Sequence, residues 1–331
     1  MIDIFGTLGP SCDNENTLAA MFAEGMTGIR INLSHVMLRD CKDKIGRIRN
    51  AAKVNGISPK ILIDMQGPEI RIGNMDEIVL AEGMPFTLGK GGVPVDEIVL
   101  NSLEKELEIL LDDGKILAKV TDVEEDRSKA TLEVIRGGKL AGRKSLAIIG
   151  KTIDTPAMTE SDIENIKLAG EYGVTAVMQP FVRSADDLKE VRRALDENNG
   201  AGIEIYAKIE NMAGVENLVS FFPYADEIVI ARGDLGNAMP LWELPKVQKE
   251  IAKVCNAAHK RFMVVTQMLS SMERSKVPTR AEVSDIYNAV LDGANSVMVT
   301  GETAIGENPV DVIRYLKKTA TIAYDFCVRN R

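Results

Sequence analysis

Short apolar runs alternate along the chain with longer stretches whose apolar residues recur every three to four positions. The runs predict strands near Ile2–Thr7, Gly28–Leu33, Lys60–Met65, Val174–Met178, Ile203–Lys208, Glu227–Ile230, Phe262–Thr266 and Ser296–Val299. Most are followed by a helical stretch. In Lys246–His259, for example, Val247, Ile251, Val254, Cys255 and Ala258 fall on one face at a period of 3.6. Capping-box spacings mark helix starts at Thr159…Asp162, Ser184…Asp187 and Thr279…Glu282. Buried strands alternating with helices predict a parallel sheet, and eight of them predict closure into an α/β fold of the (β/α)8 TIM-barrel type.

One stretch breaks the rhythm. From about Ile72 to Lys151 no helical pattern is visible, and β-like runs such as Ile116–Val123 and Ala130–Arg136 are separated by glycine-bearing turns. The expected organisation is a barrel from residues 1–71 and 152–331, with a small all-β domain, residues 72–151, inserted after strand 3. An insert entering from a βα loop reads as a lid, since those loops build barrel active sites.

The strand ends carry unusual polar residues: Arg30, Asn32 and Ser34; Asp64; Lys208 and Glu210; Arg232, Gly233 and Asp234; Thr266; Gly301 and Glu302. Residues two apart share a face of an extended strand, so Arg30, Asn32 and Ser34 can face one way, as can Lys208 and Glu210. Cations beside carboxylates in one mouth suit a phosphorylated carboxylate bound with a divalent metal. Glu210 and Asp234 are hard oxygen ligands, few enough to leave positions for substrate oxygens. Lys208 is a point charge for a transferring phosphoryl group, and Thr266 supplies a hydroxyl. Gly233 allows close backbone approach, so amides around Arg232–Asp234 can meet an anion if a short helix begins there. Taken singly, Lys208 and Glu210 also read as a structural ion pair, and Thr266 as a helix cap.

Composition narrows the ligands. With 331 residues, 45% apolar and 27% charged, the chain has room for two domains. A net charge of −9 argues against broad nucleic-acid binding. No apolar run approaches the ~18 residues of a membrane span. The first ten residues, with Asp3 and no Lys or Arg, do not resemble a secretory signal. Four cysteines without a CxxC pair read as reduced thiols of a cytoplasmic protein, with Cys12, Cys255 and Cys327 as packing residues. Only His35 and His259 exist, and His259 reads as a helix-end residue, so a divalent ion must be held by carboxylates, as magnesium or manganese is. Gly137-Gly138-Lys139 reads as a turn, and neither GxxxxGK[ST] nor GxGxxG occurs.

At these strand ends the sequence resembles pyruvate kinase, through nearly the whole chain. Thr7-Leu-Gly-Pro-Ser11 is similar to that family's opening T-[IL]-G-P-[AS] turn, and Gly25–His35 to its G-M-x-x-x-R-x-N-x-S-H segment. Asp64–Arg71 fits D-x-[KQ]-G-P-E-I-R. Ala207–Asn211, Ala231–Gly236, Thr266–Leu269, Pro278–Glu282 and Gly301–Ala304 match further family motifs, in the family's order. The resemblance implies that Arg30, Lys208, Gly233, Asp234 and Thr266 contact phosphoenolpyruvate, with Arg30, Lys208 and Thr266 catalytic. It implies that Glu210 and Asp234 hold Mg2+ or Mn2+. Asn32, Ser34, Asp64 and the Met65 carbonyl would hold K+, and a Glu at position 69 accompanies potassium dependence. Asn32, His35, Arg71, Asp113 and Lys144 would serve ADP, and a homo-oligomer would form through barrel-domain contacts.

Two departures stand out. The family normally continues with a C-terminal α/β domain carrying allosteric sites, whereas this sequence stops soon after the eighth barrel helix, near Tyr315–Arg331. The expectation is therefore a barrel and lid without that allostery. The family's K-G-V-N-x-P-G lid stretch reads here Lys144-Ser-Leu-Ala-Ile-Ile-Gly150. The expected reaction is phosphoryl transfer from phosphoenolpyruvate to ADP, a glycolytic step. The alternatives are a magnesium-dependent aldolase or decarboxylase of a 2-oxo acid, which the altered lid suits, and a non-catalytic phosphoenolpyruvate-binding relative.

Overall fold

The computed structural model describes residues 2–34, 36–151, 153 and 155–329. The chain opens with strands β1 (Asp3–Thr7), β2 (Gly28–Asn32) and β3 (Lys60–Asp64). Seven short strands follow: β4 (Ile78–Leu80), β5 (Pro85–Gly89), β6 (Glu108–Leu111), β7 (Ile116–Val123), β8 (Lys129–Arg136), β9 (Gly138–Leu140) and β10 (Leu146–Ile148). The chain then makes β11 (Ala176–Gln179), β12 (Glu204–Ile209), β13 (Glu227–Ala231), β14 (Arg261–Val265) and β15 (Ser296–Met298). It divides into two compact units: Met1–Gly67 with Ala157–Arg232 and Leu244–Arg331, and Pro68–Pro156 with Gly233–Glu243.

In the first unit β1, β2, β3 and β11 to β15 pair in parallel and close a barrel, β15 returning to β1. All eight expected barrel strands form, with ends shifted by a residue or two. Every second side chain points inward, and Phe5, Leu62, Tyr206, Val229, Met263 and Met298 belong to one buried interior cluster. Gly28 is required there, because a Cβ would lie 2.3 Å from the Phe5 ring. The inward rows continue upward by the strand period: Asp64 is two residues past Leu62, and Lys208 two past Tyr206.

The opposite end is ringed by the first residues of six strands. Arg261 of β14 pairs with Glu227 of β13 at 2.7 Å and approaches Glu204 of β12 at 3.5 Å, while Lys60 of β3 pairs with Asp3 of β1 at 2.5 Å. Ser296 of β15 donates its hydroxyl to Glu227, which is wholly buried. Burial pushes the Glu227 carboxyl above its ordinary range, against the pull of Arg261. Such a face of a barrel contributes stability rather than chemistry.

All three expected capping boxes form, on helices Glu160–Ala169, Ala185–Glu197 and Arg280–Leu291. The helix expected over Lys246–His259 runs Leu244–Ala257 and buries Val247, Ile251 and Cys255. Ala258 was expected on that buried face and is exposed, because the helix ends one residue earlier and its period no longer applies. His259 follows in a left-handed turn at φ +51°, a helix-end residue as expected. Burial pushes the thiols of Cys12 and Cys255 up to about 11 and about 12, which suits packing residues, whereas Cys327 is only half-buried.

The second unit holds a five-stranded antiparallel sheet in the order β10-β6-β7-β8-β5 and a two-stranded pair, β4-β9. It is not all-β: Glu97–Ser102 is helical. The adjacent Val99 and Leu100, with Leu103, are all buried, a spacing that a helical turn satisfies and an alternating strand does not. The stretch that departs from the pyruvate kinase pattern forms β10, where Leu146 and Ile148 enter the core of this unit and Ala147 faces out. No helix among the described residues is long and apolar enough to cross a membrane.

Candidate active site

Two cations converge on one buried carboxylate at the C-terminal end of the barrel. Arg30, on β2, reaches Asp64 Oδ2 through Nε at 2.7 Å and Nη2 at 2.6 Å. Lys208, on β12, places Nζ 3.2 and 3.3 Å from the two Asp64 oxygens and 2.9 Å from Glu210 Oε1. The side chains of Asp64 and Glu210 are 3% and 1% exposed, those of Arg30 and Lys208 13%. Burial alone would raise the Asp64 carboxyl, but the charges of Lys208 and Arg30 outweigh it and hold the group below its ordinary value. Arg30 also reaches the Thr7 hydroxyl at 3.4 Å, which donates in turn to the Val299 carbonyl at 3.0 Å.

Left-handed backbone follows two of the barrel strands, β11 and β14. The N–H of Phe181 donates to Glu210 Oε2 at 2.8 Å from a residue at φ +51°. Thr266 and Gln267, just past β14, lie at φ +78° and +55°. Conformations of this kind cost of order 1–3 kcal/mol each and persist only where the surroundings impose them. The Thr266 carbonyl accepts two hydrogen bonds from Arg232, and no hydrogen-bond partner of the Thr266 hydroxyl lies among the described residues.

Other sequence-marked residues fall nearby or apart. Asn32 pairs in register with Asp64 across β2 and β3, and its Oδ1 accepts the Ser34 N–H at 3.1 Å. The Met65 N–H is taken by the Met178 carbonyl, which leaves the Met65 carbonyl as its remaining backbone group. His35 lies outside the described residues. Gly233 and Asp234 sit on the short helix Arg232–Leu235 that follows β13, as the strand-end reading anticipated, and belong to the second unit.

Also in the second unit, Arg71, Asp113 and Lys144 gather around Ser145. Arg71 bridges Ser145 in backbone register, and the Ser145 hydroxyl donates to Asp113 Oδ1 at 2.8 Å. Lys144 pairs with Asp112 at 2.7 Å, and Arg71 holds Glu69 through contacts of 2.9 and 2.6 Å. Burial works to raise the Asp112 carboxyl, yet hydrogen bonds from Lys144 and Lys115 keep it below its ordinary value.

The family pattern described as pyruvate kinase, barrel domain, matches residues 1–313. The chain belongs to the pyruvate kinase family. A relative named pyruvate kinase from Bacillus licheniformis is 36% identical over 330 residues, covering 95% of this chain and 56% of its own length. One from Sporosarcina psychrophila is 37% identical over 324 residues, covering 95% and 55%. One from Aeropyrum pernix is 36% identical over 326 residues, covering 98% and 71%. The chain thus spans about half the length of the first two.

The donor chemistry of a pyruvate kinase mouth can be tested on this geometry. Arg30 and Lys208 against Asp64 and Glu210 sum to zero charge, so a multiply anionic ligand needs further cations. Glu210 offers a buried, hard carboxylate for one, although no group of three His, Cys, Asp or Glu side chains suited to a metal occurs among the described residues. Any divalent ion here must complete its shell with ligand or water oxygens, which suits magnesium. Three contributors were missed in the sequence reading. Phe181 and Asp285 carry no local signal, since one acts through its backbone N–H and the other pairs with Arg232, distant in sequence, at 2.8 Å. Asp162 was visible only as a capping residue, and it also accepts the N–H groups of Gln66 and Gly67 at 2.8 and 2.9 Å, anchoring the segment after β3.

Proposed function

We propose that the protein catalyses phosphoryl transfer from phosphoenolpyruvate to ADP, giving pyruvate and ATP in the cytoplasm. The observation that carries this reading is the convergence of Arg30 and Lys208 on the buried Asp64 at the mouth of a pyruvate kinase barrel. Asp64 and Glu210 hold Lys208 Nζ between them, so the ammonium is oriented before a ligand arrives and can meet the phosphoryl oxygens without reorganisation. Arg30 binds the same phosphoryl group with a guanidinium fixed by its contacts to Asp64. Thr266, Gly233 and Asp234 complete the phosphoenolpyruvate contacts in this reading, and Arg71, Asp113, Lys144, Asn32 and His35 serve ADP.

Glu210 and Asp234 would hold Mg2+ or Mn2+, and Asn32, Ser34, Asp64 and Met65 would hold K+. When bound, these ions supply positive charge to the transferring group and polarise its oxygens. In the step itself the bond from phosphorus to the enol oxygen breaks, and a bond to a β-phosphate oxygen of ADP forms. The enolate left behind takes a proton at carbon from water near Thr266, whose hydroxyl has no partner among the described residues. Self-association through barrel-domain contacts belongs to the same reading.

The test is pyruvate formation from phosphoenolpyruvate and ADP with magnesium, comparing potassium with sodium. Potassium-stimulated pyruvate release is expected. Turnover of a 2-oxo acid without nucleotide would replace this reading with an aldolase or decarboxylase. Phosphoenolpyruvate binding with no pyruvate would replace it with a binding protein.

A further inference from the structure

We propose that Arg232 and Asp285 form a positioning pair that fixes Thr266 for this reaction, an inference that rests on the reading of the barrel mouth given above. Arg232 opens the short helix directly after β13, and its Nε and Nη2 donate to the Thr266 carbonyl at 3.2 and 2.7 Å. The remaining edge of the guanidinium is held by Asp285, with Nη1 2.8 Å from Oδ1 and 2.7 Å from Oδ2. Nη2 also donates to Met268 Sδ at 2.9 Å, so the fork is tied to β13, to the turn after β14 and to the helix Arg280–Leu291.

Thr266 needs such a tie. It is β-branched and lies at φ +78°, followed by Gln267 at +55°, a pair of left-handed residues that local sterics disfavour. A planar fork donating twice to one carbonyl fixes the orientation of that peptide as well as its distance, which a single point charge cannot do. The Arg232 side chain is 11% exposed, so its charge needs the Asp285 carboxylate to remain in place. The carbonyl of Thr266 is thereby committed to protein, while its hydroxyl has no partner among the described residues and is left for a ligand.

The test compares Asp285→Asn, Arg232→Lys, Thr266→Ala and the two double variants with Thr266→Ala. Each of the first two is expected to lower kcat about tenfold or more while KM for phosphoenolpyruvate moves less than about threefold. In the Thr266→Ala background neither should add more than about a twofold loss, because the pair acts through Thr266. Independently of activity, in protein with 13C-labelled threonine methyls the Thr266 resonance should shift or broaden in Asp285→Asn, while those of the buried Thr7 and Thr303 stay in place. Losses that multiply with Thr266→Ala, or a Thr266 methyl unmoved by Asp285→Asn, would overturn the proposal. If the native protein yields no pyruvate, the assigned reaction falls, and the methyl resonance still decides whether the pair positions Thr266.

Discussion

Phe181 gives its backbone N–H to Glu210 across 2.8 Å, and does so from a left-handed conformation at φ +51°. The link joins the turn after β11 to the residue that follows β12, and orients a carboxylate whose side chain is 1% exposed. Phe181→Gly keeps the donor and accepts that φ, whereas Phe181→Pro deletes the donor and cannot adopt it. Losing a hydrogen bond to a charged group costs about 1.5–3 kcal/mol. Manganese affinity, titrated by electron paramagnetic resonance, should therefore fall roughly ten- to a hundredfold in the proline variant and stay within about threefold in the glycine variant. Equal losses in both would show that the N–H does not set Glu210.

Lys208→Met is expected to lower kcat by about 10²–10³, the usual effect of removing one preorganised charge from a transition state. Asp64 keeps its 2.6 Å contact with Arg30, but the buried Glu210 loses the ammonium 2.9 Å away, so the thermal midpoint should fall as well. Substantial turnover in a folded Lys208→Met protein would remove Lys208 from the proposed mechanism.

Asp162 is fully buried and accepts four hydrogen bonds, from the N–H groups of Gln66, Gly67 and Thr159 and from the Thr159 hydroxyl, at 2.8–2.9 Å. Asp162→Ala leaves buried donors unpaired at the exit of β3 and at a helix start together. A loss of roughly 2–4 kcal/mol in chemical denaturation is expected. A loss no larger than that of an ordinary exposed cap would mean that Gln66 and Gly67 find other acceptors.

At the other end of the barrel, burial raises the Glu227 carboxyl above its ordinary 4.5, so the folded chain holds this proton more tightly than the unfolded chain. That contribution to stability is complete below 4.5 and is lost as pH rises through the folded value. Glu227→Gln should accordingly flatten the decline of unfolding free energy with rising pH, measured by denaturation across that window. Arg261→Met, which removes the countercharge 2.7 Å away, should destabilise more at neutral than at acidic pH. At neutral pH the loss is expected to be about 3 kcal/mol. Parallel pH slopes in the native and Glu227→Gln proteins would contradict this.

The sequence by itself determined the elements and the list of polar strand ends. Alternation and helical period are local properties, so eight strands, three capping boxes and the shared face of Lys208 and Glu210 could be read without a partner in view. Local pattern failed where a short segment was decided by what it packs against, as at Val99 and Leu100, whose neighbours in the second unit require a helical turn. It gave the near pairing of Lys208 with Glu210 but no distant one. Arg30 and Lys208 lie 34 and 144 positions from the Asp64 they share, a relation that only barrel closure creates. The left-handed backbones of Phe181 and Thr266 are of the same kind. No residue preference at these positions announces them, since each is imposed by contacts from other strands, to Glu210 in one case and from Arg232 in the other. Periodicity therefore specified which side chains face the barrel mouth, and tertiary contacts decided how those side chains are charged, held and aimed.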